Sequence, residues 1–164
     1  MKNTGILLSI ALAAVLLALV AFSIGDPEPK LAPDFRLLNL NGEEVVLSQF
    51  RGNVVVLDFW ATWCAPCLRS FPDLHDLVAR YEDRGVFLLV VSLDKSEARA
   101  RDYLIEHGYP TENVLWESLD AARGVKALFG VVGIPKTFIV DREGYIQYSG
   151  SPSNLTEDEL LNVL

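Results

Sequence analysis

Ile6–Ile24, "ILLSIALAAVLLALVAFSI", runs for nineteen positions without a charged residue, about the length a helix needs to cross the hydrocarbon core of a bilayer. Because it is apolar on every face, it predicts a single membrane-spanning helix rather than a core helix with one polar side. A cleaved signal peptide is the alternative: its apolar region is usually shorter, roughly 7–15 residues, but Ala21-Phe22-Ser23 offers a small-x-small cleavage site. Lys2 precedes the run, and Asp26 and Glu28 follow it. That charge bias places the N-terminus in the cytoplasm and the remaining chain on the extracytoplasmic side of the cytoplasmic membrane. No cysteine stands directly after the run, in Gly25–Pro33, which excludes a lipoprotein-type anchor. The expected organisation is an anchor over residues 1–25, a charged, Pro-rich linker over 26–33 and one domain over 34–164.

Within that domain the pattern alternates between periods. Asp34–Leu40 and Glu43–Leu47 flank Asn41-Gly42, a two-residue hairpin signal. Val54–Ala61, "VVVLDFWA", is β-branched and aromatic with almost continuous apolarity, as a central strand covered on both faces requires. Ala65–Asp83 then carries Leu68, Phe71, Leu74, Leu77, Val78 and Tyr81 at helical spacing, with Pro72 expected to kink it and Gly85 to end it. Val86–Leu93 predicts a second buried strand, and Ser96 opens a helix to His107 that Gly108 stops. A short strand follows at Val114–Trp116, then a helix over Leu119–Phe129 and a strand over Lys136–Asp141. A turn at Asp141–Gly144 leads into a strand at Tyr145–Tyr148. Thr156 and Glu159 have capping-box spacing for a terminal helix. This order describes an α/β fold with a sheet covered by helices on both faces.

Composition narrows the function. The chain has 164 residues, 51% of them hydrophobic, and a formal net charge of −8. It suits one domain and argues against a basic surface for nucleic acid or anionic lipid. Two cysteines and two histidines cannot build a disulfide-rich scaffold or an iron–sulfur framework. A zinc site would need His75 and His107, from different helices, to join the cysteines.

Cys64 and Cys67 therefore act as a pair or not at all. If the strand ends near Ala61 and the helix begins near Cys64, Cys64 sits where unpaired backbone N–H groups and the helix dipole stabilise an anion. Its thiolate is expected near neutral pH. Cys67, one turn further along the same face, lies within reach of a disulfide and is expected to be deeper, with a higher pKa. Unequal thiols suit exchange, in which one attacks a partner disulfide and the other resolves the mixed disulfide. As a structural staple, so short a loop contributes only about 2 kcal/mol.

"VLDFWATWCAPC" resembles the active-site segment of thioredoxins, and "GIPKTFIVDREGYI", Gly133–Ile146, resembles the second signature of that superfamily. With the N-terminal apolar run, the leading "APDF" and the insertion between Ser92 and Leu119, the chain is similar to exported, membrane-tethered thiol-disulfide oxidoreductases that serve cytochrome c maturation and related tasks. The resemblance spans about Leu31–Leu164. It implies a thioredoxin fold, a central mixed sheet flanked by helices, here extended by an N-terminal hairpin and the membrane helix. It implies no cofactor beyond the Cys64–Cys67 disulfide, protein disulfides as substrates, and a transmembrane thiol carrier as electron donor.

The same resemblance assigns roles. Cys64 becomes the nucleophile, Cys67 the resolving thiol, and Ile134-Pro135 a cis peptide bond beside the disulfide; a Pro135 that merely starts a strand is the plainer reading. The Ile134 backbone, Ala65, Pro66 and Trp63 are expected to meet the substrate, whereas Trp60 is expected in the core. Asp58 interrupts an apolar strand, where a carboxylate is costly and titrates above its usual range; the alternative is the strand's solvated side. In thioredoxins the matching acid serves the resolving cysteine as general base. Related cytochrome c reductases carry Asn at that position and Glu where this chain has Ser70, so the acid arrangement here is closer to general thioredoxin. Glu43, Glu44, Asp94, Asp102 and Glu106 read as solvated charge, and His75 and His107 as structural. A disulfide oxidase or isomerase would use the same residues. A thiol peroxidase fits less well, because Leu57 and Ala61 stand where peroxiredoxins place Pro and Thr. A copper-delivery module would use the two cysteines as soft ligands.

Overall fold

The computed structural model describes residues 29–116 and 118–164. The apolar run Ile6–Ile24, and with it the expected anchor, lies outside them. Among the described residues no helix is long and apolar enough to cross a membrane.

The elements are β1 (Lys30–Leu31), β2 (Arg36–Leu38), β3 (Glu44–Val46), β4 (Val54–Trp60), α1 (Ala65–Ala79), β5 (Val86–Ser92), α2 (Glu97–Glu106), β6 (Val114–Leu115), α3 (Leu119–Leu128), β7 (Lys136–Val140), β8 (Tyr145–Gly150) and α4 (Glu157–Leu161). Six strands form a mixed sheet in the order β1-β8-β7-β4-β5-β6, with β4, β5 and β6 parallel and β7, β8 and β1 antiparallel to their neighbours. This is the expected thioredoxin arrangement. Every residue of β4 is buried, which explains its nearly continuous apolarity.

Alternation along β4 divides the core into two layers. Phe59 points to one face, packing near Phe129 and Phe138. Trp60 points to the other, stacked on Phe71 of α1 at 5.0 Å and tilted against Tyr103 of α2. Helices thus cover both faces, with α1 and α2 together on the Trp60 side.

Short segments pair with part of the sheet on both of its outer sides. β1 pairs with β8 through Lys30↔Ile146 and Leu31↔Tyr145, and Ala32 beside it is buried. The last residues of the stretch read as a linker therefore belong to the sheet. At the other edge the β2–β3 hairpin leans on β6, with Leu40 N–H donating to Val114 O at 2.9 Å and Trp116 N–H to Leu38 O at 2.8 Å. Its turn is not the expected two-residue Asn41-Gly42 loop. Asn39 and Glu43 close a three-residue loop through Asn39 N–H to Glu43 O at 2.8 Å, and Gly42 sits at φ +81°. The buried Asn39 carboxamide decides this, because its Oδ1 accepts from the backbone N–H groups of Asn41 and Glu43.

α1 continues past Pro72 but stops at Ala79, four residues before the expected end at Asp83. A 3₁₀ turn, Glu82–Arg84, follows, and Gly85 at φ +79° leads into β5. The Tyr81 hydroxyl donates to Glu157 of α4, which ties this junction to the C-terminus. Thr156 and Glu159 form the expected capping box.

Candidate active site

Cys64 is the N-cap of α1. Its carbonyl accepts the first helical bond, from Leu68 N–H at 3.1 Å, and its sulfur accepts from Cys67 N–H at 3.3 Å. A helix exposes its unpaired donors at this end. Ala65 and Pro66 occupy the first two helical positions, both exposed, and Pro66 contributes no N–H. Cys64 and Cys67 are joined in a disulfide, with an S–S distance of 2.01 Å. The expected contrast in depth is slight in this oxidised state, at 5% and 2% exposure.

Asp58 shares the face of β4 with Trp60, and Cys67 shares the face of α1 with Phe71. Since Trp60 and Phe71 stack, Asp58 and Cys67 both belong to the layer between β4 and α1. The carboxylate is buried, paired in register with Thr137 of β7, and accepts from the Thr137 hydroxyl at 2.6 Å. Burial pushes its pKa from 3.8 up to about 7, against the smaller lowering effect of the Thr137 bond. The solvated-strand reading of Asp58 is thereby set aside.

Thr137 also links this acid to the segment before β7, where the Ile134-Pro135 bond is cis, as the resemblance implies. Ile134 and Trp63 line one groove of about 400 Å³. Trp63 is 60% exposed, in keeping with a contact role, whereas Trp60 is fully buried.

Asp94 departs from the expectation of solvated charge: its exposure is 0%. It follows the end of β5 and accepts from Thr62 N–H at 3.0 Å, Thr62 Oγ1 at 2.6 Å and Ser92 Oγ at 2.9 Å. The Trp116 indole donates to its carbonyl at 3.0 Å. Thr62 lies two residues before Cys64, so Asp94 pins the segment between β4 and α1. A charge at the carboxyl end of a buried parallel strand, where α/β sheets place their sites, was the available signal. Ser70, buried on α1, returns its hydroxyl to the carbonyls of Pro66 and Cys67. Of the histidines, His75 is half-buried against Tyr109, and His107 stacks on Tyr103 at the end of α2.

Comparison with known proteins agrees with this geometry. The thioredoxin-like protein YneN of Bacillus subtilis is 35% identical over 126 residues, covering 76% of this chain and 71% of its own. The thiol-disulfide oxidoreductase ResA of Oceanobacillus iheyensis is 33% identical over 155 residues, covering 86% and 76%. Among solved structures, the thioredoxin domain of a thiol-disulfide oxidoreductase from Bacteroides vulgatus superposes with a TM-score of 0.71 at 28% identity, covering 84% of this chain and 95% of that one. Residues 29–149 match the AhpC/TSA family. With its thioredoxin fold and Cys64–Cys67 redox centre, the chain belongs to the AhpC/TSA family and is a thiol-disulfide oxidoreductase within it.

Proposed function

We propose that the enzyme is a reductant of protein disulfides, held to the cytoplasmic membrane by Ile6–Ile24 with its domain on the extracytoplasmic side. The observation that carries the reading is the placement of Cys64 at the N-cap of α1, above the layer that holds a buried acid of raised pKa.

In the reduced enzyme, the Cys64 thiolate attacks one sulfur of a substrate disulfide. A Cys64–substrate bond forms and the other substrate sulfur leaves as thiolate. Asp58, ionised, takes the proton of Cys67 as general base. The Cys67 thiolate then attacks Cys64 Sγ, giving the Cys64–Cys67 disulfide and releasing the second substrate thiolate. Two electrons pass to the substrate, and a dithiol donor, a transmembrane thiol carrier on this reading, restores the enzyme. Trp63, Ala65, Pro66 and the Ile134-Pro135 segment receive the substrate chain around Cys64. No cofactor beyond the cysteine pair takes part.

The reducing direction is proposed from the membrane tether, which suits electrons arriving from a transmembrane thiol carrier, and it requires a dithiol state that is only modestly stabilised. Ser70 in place of a glutamate favours general protein disulfides over a dedicated apocytochrome substrate.

The test is reduction of a protein disulfide by the full chain with a dithiol donor. Turnover abolished by Cys64→Ser, and a mixed disulfide at Cys64 that persists in Cys67→Ala, support the reading. Undiminished turnover in Cys64→Ser contradicts it.

A further inference from the structure

The groove between Trp63 and Ile134 carries two cations in a chain whose formal charge is −8. It is lined by Trp63, Leu93 and Ile134 together with Leu119, Arg123 and Lys126 of α3. Positions 119, 123 and 126 recur at i, i+4 and i+7, so α3 turns one face to the groove. Lys126 Nζ donates one of its three N–H bonds to Val132 O at 3.0 Å, which holds its charge beside the segment leading to Ile134. Arg123 approaches Asp120 only at 3.8 Å, both side chains being well exposed, an ion pair too weak to occupy the guanidinium. No carboxylate lines the groove among the described residues. Val132, 95% exposed at its rim, and Trp63 supply apolar surface.

We infer that this groove selects disulfide partners whose extended segment carries a carboxylate close to the reacting cysteine, with an apolar neighbour against Trp63. The inference rests on the proposed role of Cys64 as nucleophile and adds the class of segment it attacks. Acidic partners are otherwise disfavoured by the charge of the whole chain, so the preference must arise locally. That separates the two influences by sign: net charge alone speeds a cationic partner, whereas Arg123 and Lys126 speed an anionic one.

The experiment uses the full chain with Cys67→Ala, in uncharged detergent, and two peptides that differ only in Asp or Lys two residues after a single cysteine. Each cysteine is capped as a mixed disulfide with 2-thiopyridine. The Cys64 thiolate forms a disulfide with the peptide sulfur, and the departing electron pair and a proton leave as 2-thiopyridone, read by absorbance. At low ionic strength the Asp peptide should react about fivefold faster. About 1 M salt, which shortens the screening length to about 3 Å, should erase the difference. Arg123→Glu should reduce or reverse the preference. Equal rates, or a faster Lys peptide, overturn the inference and leave the nucleophile standing. Release from neither peptide removes both.

Discussion

The Thr137 hydroxyl donates to the Asp58 carboxylate at 2.6 Å, across a register pair that joins β4 to β7. This is the one side-chain hydrogen bond the buried acid receives among the described residues, and it only partly offsets the loss of water around it. The folded protein therefore holds a proton that the unfolded chain releases, over the interval from 3.8 to about 7. The consequences for stability and for rate can be measured separately.

Stability should fall as pH rises through that interval. Below 3.8 both states are protonated at this group and no penalty applies; above about 7 the folded state carries the whole cost of a buried charge. The shift corresponds to about 4 kcal/mol. Asp58→Asn lacks this cost, so urea unfolding at pH 8 should find it more stable than the wild type. The advantage should shrink steadily as pH is lowered to 4.

Turnover should move in the opposite sense. If Asp58 accepts the Cys67 proton, Asp58→Asn slows resolution of the mixed disulfide by roughly 100-fold, within the usual contribution of a general base. The rate should also lose its inflection near pH 7. Stopped-flow kinetics of mixed-disulfide decay reads both effects, and an unchanged pH profile in the variant removes Asp58 from the mechanism.

Asp94→Ala strips the partner from Thr62 N–H, Thr62 Oγ1 and Ser92 Oγ together. Unsatisfied donors at a buried site cost about 1–3 kcal/mol each, and relaxation of the loop should leave a loss of about 3 kcal/mol in denaturant unfolding. Asp94→Asn, which keeps one acceptor oxygen, should lose less than half as much.

The parts legible in the sequence are those that a local pattern dictates. "VVVLDFWA" is apolar on both faces because β4 is covered on both, and the helical spacing from Leu68 to Val78 follows the buried side of α1. Thr156 and Glu159 cap α4 through their own spacing. What escaped depended on partners distant in sequence. β1 is two residues long and exists because β8 offers an edge. The hairpin loop is set by the Asn39 side chain rather than by Asn41-Gly42 alone. Asp94 looks like any charge after a strand until Thr62 is brought to it from 32 residues away. In the site, the cysteine spacing and the acid interrupting β4 were visible directly. The cis bond before Pro135 came only through the resemblance, and the groove joining Trp63 to Arg123 and Lys126 needed the folded chain.

On the proposed function the Cys64–Cys67 pair donates electrons. The most direct test is the equilibrium reduction potential of the pair in the full chain, against a dithiothreitol or glutathione redox buffer. A value near that of thioredoxin, about −270 mV, is expected. A value near −120 mV, that of a strong oxidant, would reverse the direction of electron flow and contradict the account.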